Sequence, residues 1–252
     1  MSKLYAYKYP EDVIELEDYI IMDSFNMAYY CANNHKVGYN VNTIINILNN
    51  LDGYFDFSKN FIDIGSRLGE FPFRLADVFN HVYAFEPNKK SAALIYVNCL
   101  LSNNLDKVDV FNDYLSDCKK EIKYNGWCNV EDENILAQEL TERVKLNHDG
   151  EHLDDNVYKI ETHTLDEYSF NNVGFIKIDV EGAEYDVIKG AAGTIIRNEC
   201  PPILFELMKP AGFKNEYLYE KYKNNLYALL YSLGYSNIMQ YGDDPQNYLA
   251  LK

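Results

Sequence analysis

The sequence predicts an α/β fold: a mostly parallel sheet with helices on both faces, closed at its end by an antiparallel pair of strands. Three observations carry this expectation. Between Phe61 and Phe111 short apolar runs of strand length alternate with helical periodicity, the rhythm of βαβ units joined by right-handed crossovers. Phe175-Ile176-Lys177-Ile178 reads as a buried strand that passes through Asp179-Val180-Glu181-Gly182 into a helical stripe of Ala183, Val187 and Ile188. Finally, Tyr235–Tyr241 and Gln246–Leu251, joined by Gly242-Asp243-Asp244-Pro245, form a hairpin signal.

A chain of 252 residues holds one large domain or two small ones, and one core is the simpler expectation. Residues 1–58 alternate short helical signals with Tyr-rich and Asn-rich connections. The clearest helix has Asn42 as N-cap, with Ile44, Ile45, Ile47, Leu48 and Leu51 on one face. This stretch is expected to be a helical cover of the same domain, with 59–252 forming the ligand-binding part. No run of 18 apolar residues is present, so no membrane partner is expected. The segment Met1–Asp12 has no apolar core after its basic residues and meets acid early, which predicts a cytoplasmic protein.

A net charge of −16 without clustered Lys and Arg argues against a nucleic-acid partner. Cys31, Cys99, Cys118, Cys128 and Cys200 form no Cys-x-x-Cys pair and read as reduced, mostly buried thiols. His148 and His152 are spaced i, i+4 but flank Gly150 in a loop-like stretch, a context that favours a polar loop over a metal site.

In chain order, the strand Phe61-Ile62-Asp63-Ile64 is followed by Gly65-Ser66-Arg67-Leu68-Gly69 and a helix with Phe71, Leu75, Val78 and Phe79 inward. The strand His81–Phe85 ends in Glu86-Pro87-Asn88, and the next helix places Leu94, Val97, Asn98 and Leu101 on one face. Val108–Phe111 ends at Asn112-Asp113. The rhythm then breaks. An acidic, polar insertion at about 117–160 contains Trp127 and a helix signal over Glu133–Val144; it is either a lid or acceptor-binding excursion on the ligand side, or a surface loop. Ile160–Thr164 is extended and leads to Asp166-Glu167. Glu181 and Glu184 fall in the opening turn of the helix after Ile178, where acids suit the positive end of the helix dipole. Pro201–Leu207 reads as a further strand, and a long helix carrying Leu218, Tyr222, Leu226, Leu229, Leu230 and Leu233 stops at Gly234.

The first strand and its loop suggest chemistry. Asp63-x-Gly65-x-x-x-Gly69 sets a carboxylate and then two glycines, which let the backbone pass close to a ligand before a helix begins. Glu86 ends the next strand about 20 residues after the first glycine, where a carboxylate accepts both hydroxyls of a ribose. A nucleoside-containing cofactor follows. The bland reading of Glu86 is a helix-initiating acid beside Pro87.

Taken together, Phe61–Gly65, Tyr83–Asn88, Thr164-Leu165-Asp166-Glu167 and Ile176-Lys177-Ile178-Asp179-Val180-Glu181-Gly182-Ala183-Glu184 closely resemble the FkbM family of S-adenosylmethionine-dependent methyltransferases. The resemblance runs from about residue 42 to the carboxyl terminus. It implies a Rossmann-like class I methyltransferase sandwich whose mostly parallel sheet has seven strands and a reversed final strand. It also implies S-adenosylmethionine as cofactor over the first two strand ends, and methyl transfer, usually to a hydroxyl oxygen of a small molecule or glycan. Carried onto this chain, Asp63, Gly65, Ser66 and Gly69 would line the methionine end, Glu86 the ribose, and Asn88 or Asp113 the adenine. Where relatives commonly have Gly-Ala-Asn-x-Gly, this chain has Gly65-Ser66-Arg67-Leu68-Gly69. Arg67 either neutralises the cofactor carboxylate or crowds the loop and points outward.

Because a sulfonium is already a good leaving group, such an enzyme chiefly aligns the acceptor, with a base for its proton. Asp179, Glu181 and Glu206 are the candidates. Each has a structural alternative: Asp179 orienting its loop, Glu181 satisfying amides at the helix start, Glu206 pairing with Lys177. Methyltransferases acting on nitrogen often carry an Asn/Asp-Pro-Pro-aromatic element at this strand end; its absence favours oxygen. Two other classes compete: an NAD-dependent oxidoreductase, which expects Gly-x-Gly-x-x-Gly after the first strand, and a methyltransferase-like binding module without turnover.

Overall fold

The structure, a computed structural model, describes residues 4–8, 19–23, 41–126, 128–132, 157–208, 213–242 and 244–252. Trp127, His148, His152 and the helix signal over Glu133–Val144 lie outside the described residues.

The amino-terminal stretch departs from its helical reading. Strands β1 (Leu4–Lys8) and β2 (Tyr19–Asp23) pair antiparallel; both are rich in aromatic or β-branched residues, which favour extended chain. Helix α1 (Val41–Asn49) contains Asn42 rather than being capped by it. Ile44 and Ile47 are buried against the core, whereas Leu51 lies beyond the helix end and is 90% exposed.

Separate from the two-stranded β1–β2 pair, the main sheet is built from β3 (Asn60–Ile64), β4 (Val82–Phe85), β5 (Val108–Phe111), β9 (Val173–Ile178), β10 (Ile203–Glu206), β11 (Asn237–Gln240) and β12 (Asn247–Leu251). Between β5 and β9, a smaller sheet forms from β6 (Tyr114–Leu115), β7 (Glu121–Tyr124) and β8 (Tyr158–His163). The main sheet has seven strands in the order β11-β12-β10-β9-β3-β4-β5. Strands β5, β4, β3, β9 and β10 run parallel, and β12 is antiparallel to both of its neighbours. Reversal between β9 and β3 makes a topological switch point, where open α/β sheets bind ligands beyond the carboxyl ends of their strands.

Helices α2 (Glu70–Leu75) and α3 (Lys89–Leu101) join α1 on one face of this sheet. Their core holds Ile47, Leu75 and Ile95 against Phe61, Phe175 and Leu204, with Phe61 and Phe175 stacked at 4.8 Å. On α3, Leu94 and Asn98 are buried as expected, but Val97 and Leu101 are exposed; Ile95 and Cys99 take the inner positions. Apolar residues surround this helix, so periodicity alone did not select the buried face. Helices α4 (Glu184–Gly190), α5 (Ala192–Arg197) and α6 (Glu216–Leu233) cover the other face, where Val187, Ile195 and Leu226 pack on Ile62, Ile176 and Phe205. Asn215 caps α6 through its side chain and Gly234 ends it in the left-handed conformation, at φ 106°, which glycine adopts without penalty. Cys99 and Cys128 are buried, Cys200 is half-buried and Cys118 exposed; all four are free thiols.

The Thr164-Leu165-Asp166-Glu167 element is architectural. Asp166 accepts hydrogen bonds from the amides of Gly193 (2.9 Å) and Thr194 (2.6 Å), capping α5 from a distant segment. Replacing Asp166 with Ala orphans both donors, and loss of a cap costs about 1–2 kcal/mol. In a chain of this size that lowers the melting temperature by about 2–8 °C, measurable by circular dichroism; an unchanged melting temperature contradicts the capping role.

Candidate active site

A cleft opens at the carboxyl ends of β3, β4 and β9, walled by Gly65–Leu68, Glu86–Asn88, Asp113–Leu115, Lys177 and Asp179–Glu181. Its empty space is about 1050 Å³ with the mouth included, enough for a ligand of nucleoside size.

The glycine loop forms the floor. Gly65 (φ 81°), Arg67 (φ 51°) and Gly69 (φ 80°) all take the left-handed conformation. The amides of Gly65 and Ser66 both bond the Phe85 carbonyl at 3.0 Å, tying the first strand end to the second. A Cβ at Gly65 would collide with the carbonyl oxygen of Asp179, so the two strand-end loops approach only because this residue is glycine. Ser66 lines the cleft, but its hydroxyl donates to the Asp63 carbonyl at 2.9 Å. Gly69 caps α2. Arg67 lines the cleft with one guanidinium nitrogen sealed from solvent, so its side chain turns inward rather than outward.

Glu86 is 7% exposed. One carboxylate oxygen accepts the Arg67 amide and the other the Asn88 amide, each at 2.8 Å. Further lone pairs remain on the cleft side. Burial is the main influence on this group and pushes its pKa up to about 7, against the lowering effect of those two amides and the Arg67 charge. Asn88 is spent on structure: its Oδ1 accepts the amides of Lys90 and Ser91 to cap α3, and its Nδ2 donates to the Gly126 carbonyl. Asp113 borders the cleft and accepts a hydrogen bond from the Tyr168 hydroxyl at 2.8 Å.

Asp63 is not in the cleft wall. It is 1% exposed and pairs with Lys177, whose Nζ lies 3.2 Å from its Oδ1. Lys177 does line the cleft, and its ammonium also stands 3.5 Å from Asp179 Oδ2 and 4.9 Å from the centre of the Phe71 ring. Of the two readings of Glu206, pairing with Lys177 is not made as a close ion pair: the ammonium pairs with Asp63 and Asp179, and the Glu206 charge acts on it from farther off. Glu206 instead accepts from Gln246 Nε2 at 2.8 Å. Burial first, then the negative charges of Asp179, Glu181 and Glu184, hold its carboxyl well above the usual range.

Glu181 and Glu184 divide their roles differently from the sequence reading. Glu181, at φ 55°, sits in the turn before Ala183, the N-cap, and lines the cleft; only Glu184 belongs to α4. Glu184 is fully buried. It accepts the amides of Val180 (3.2 Å) and Gly182 (3.1 Å) and the Tyr222 hydroxyl. Satisfying the turn's donors therefore falls to Glu184, which leaves Glu181 on the cleft side. A non-glycine residue in the left-handed region costs energy and persists where its surroundings hold it.

Sequence reasoning missed Lys177 as a cleft residue, although a lysine inside an otherwise apolar strand must find a charged partner. It also missed Tyr124 and Gly126, which border the cleft from β7 and the turn after it. Nothing local marked them. Among the described residues no cluster of His, Cys, Asp and Glu has the geometry of a metal site, and no helix is long and apolar enough to cross a membrane.

A profile of the Methyltransferase FkbM domain matches residues 63–236. No curated protein matches the sequence. Among solved structures, the chain is similar to methyltransferase FkbM from Methylobacillus flagellatus KT at 16% identity, over 79% of this chain and 44% of that one, with a TM-score of 0.48. The chain thus spans less than half the length of that protein. It is also similar to an O-methyltransferase from Bacillus cereus in complex with SAH (13% identity, 90% of each chain, TM-score 0.44). A third is a putative rRNA-methylase from Clostridium thermocellum (9% identity, 83% of this chain and 95% of that one, TM-score 0.46).

Proposed function

The chain belongs to the FkbM methyltransferase family, and from that premise we propose that it methylates a hydroxyl oxygen of a small molecule or glycan with S-adenosylmethionine. The observation that carries the cofactor assignment is the buried Glu86 carboxylate beside the glycine loop. Its two oxygens are held by backbone amides and keep acceptor capacity toward the cleft, which suits the paired hydroxyls of a ribose. Gly65 supports it by letting the backbone pass close beneath the ligand.

When bound, S-adenosylmethionine supplies a methyl carbon already activated by its sulfonium. What remains for the chain is positioning and proton acceptance. Gly65 and Arg67 line the loop side, Glu86 would hold the ribose, and Asp113 would stand at the adenine side. Asp179 and Glu181 face the cleft as candidates for the acceptor's proton, while Glu206 lies behind Asp179. Asp63, which does not reach the cleft wall, acts through Lys177. The scarcity of basic clusters in a chain of net charge −16 favours a small acceptor over RNA.

Calorimetry with S-adenosylmethionine, S-adenosylhomocysteine and NAD tests the reading. The expected result is saturable binding of the first two and none of NAD. NAD binding alone supports an oxidoreductase, and no nucleotide binding supports a binding module. Methyl transfer from labelled S-adenosylmethionine to RNA, with none to sugars or other hydroxyl compounds, would contradict the proposed acceptor class.

A further inference from the structure

Tyr124 is a buried polar side chain in the cleft wall for which methyl transfer as described has no use. The small sheet brings it there. Along β7 the exposed Glu121 and Lys123 alternate with the buried Ile122 and Tyr124, because successive side chains of a strand point to opposite faces. The outer pair is occupied at the surface, Glu121 by Lys159 at 2.6 Å and Lys123 by Glu131 at 2.8 Å. Tyr124 is 4% exposed and borders the cleft together with Glu86, Asn88 and Tyr114.

Its place is fixed from several sides. Tyr114, which follows Asp113 in the chain, stands edge-on to the Tyr124 ring at 5.7 Å, a favoured geometry for aromatic pairs. The backbone of Tyr124 bridges to Asn129, and Asn125 Oδ1 accepts the Cys128 amide at 2.9 Å, closing the chain back on itself after β7. The Gly126 carbonyl then accepts from Asn88 Nδ2 at 3.2 Å. The amide of the same Asn88 donates to Glu86 at 2.8 Å. One residue thus ties the segment after Tyr124 to the carboxylate assigned to the ribose.

The hydroxyl shows what the ring is held for. It has no hydrogen-bond partner among the described residues, and a buried hydroxyl without a partner costs free energy that a bound ligand can return. Burial first, then the charge of Glu86, holds its pKa well above the usual tyrosine value, and the Glu181 charge also reaches it. It is therefore a neutral donor. Glu86, Asp113, Asp179 and Glu181, which share the cleft, are acceptors when ionised. They suit the donors of a nucleoside, its ribose hydroxyls and exocyclic amine. A nucleoside also carries acceptors, the ring nitrogens and the ribose ring oxygen, and these require a donor. Several donors of the wall are already engaged: the Ser66 hydroxyl by the Asp63 carbonyl, Asn88 Nδ2 by Gly126 and Lys177 by two carboxylates.

We propose that Tyr124 is a ligand-binding residue whose hydroxyl donates to an acceptor atom of the cofactor's adenosine, so that β7 and the segment after it complete the nucleoside site. The identity of the cofactor rests on the methyl-transfer reading above.

The test is calorimetry of the full chain and of Y124F with S-adenosylhomocysteine and with adenosine, alongside the melting temperature of each ligand-free protein. Y124F removes the oxygen and keeps the ring. Affinity for both ligands should fall by the same factor, about tenfold. The melting temperature should be unchanged or higher, because the lost hydroxyl bonds nothing within the protein. In protein labelled at the tyrosine ring carbon that bears oxygen, the resonance assigned to Tyr124 by its loss in Y124F should move when S-adenosylhomocysteine is added.

Equal affinity of Y124F and the unaltered protein for S-adenosylhomocysteine overturns the proposal. So does a loss confined to S-adenosylhomocysteine with adenosine unaffected, which puts the hydroxyl at the methionine end. A melting temperature lowered by several degrees gives the hydroxyl a structural partner and overturns it as well. If the unaltered protein binds adenosine but not S-adenosylhomocysteine, the methyl-transfer reading fails alone, and the adenosine affinity of Y124F still decides the role of Tyr124. Binding of neither ligand sinks both.

Discussion

Replacing Glu86 with Ala is expected to weaken S-adenosylhomocysteine binding by about 100-fold or more. Hydrogen bonds to a charged group contribute about 1.5–3 kcal/mol each, and a ribose offers two hydroxyls to this carboxylate. The pH dependence is the sharper signature. In the free protein the carboxyl titrates at about 7, raised chiefly by burial. Ribose hydroxyls donate to the ionised form, so binding lowers the pKa and displaces a proton wherever Glu86 is protonated beforehand. Affinity should be constant well above pH 7 and fall about tenfold per unit below it. Glu86→Gln should abolish the slope while keeping side-chain volume. Isothermal titration from about pH 5.5 to 8.5 reads both effects; affinity independent of pH in the unaltered protein would rule out Glu86 as the ribose ligand.

Gly65→Ala is expected to be the most damaging single-methyl change in the site. The residue holds φ 81° and its added Cβ would collide with the Asp179 backbone carbonyl. Both faults act together: a left-handed conformation costly for alanine, and a collision with main chain that cannot rotate away. The β3 loop and the β9 turn must separate, breaking the hydrogen bond from the Asp179 amide to the Ile64 carbonyl at 3.0 Å. A loss of about 2–4 kcal/mol follows, or about 4–16 °C in melting temperature for a chain of this size. Cofactor binding should disappear even at temperatures where the variant stays folded. A variant that melts and binds like the unaltered protein would show that the close approach is dispensable.

The parts legible in the sequence were those governed by local chemistry. Strand runs such as Phe61–Ile64 and Phe175–Ile178, the capping glycine at Gly234 and the spacing from Gly65 to Glu86 each announce a backbone requirement that few residue types meet. Elements with mixed local signals were misread. The aromatic amino-terminal segments form strands β1 and β2, and the face of α3 turned on which neighbours covered it, because Val97 and Leu101 are as apolar as the Ile95 and Cys99 that are buried in their place.

Within the site the same division holds. The sequence by itself determined that carboxylates would stand at the ends of successive strands and that glycines would let the backbone pass close to a ligand after the first of them. Only the tertiary structure decided how each acid is used. Glu184 is drawn inward by two amides and a tyrosine hydroxyl, which leaves Glu181 on the cleft side; Asn88 is consumed by a helix cap; Asp63 is sealed beneath Lys177. The reason is physical. A side chain's type is set by the sequence, but the number of its lone pairs already satisfied, and the charges within a few ångströms, depend on segments far apart in the chain. Those two quantities fix both its protonation and its freedom to meet a ligand.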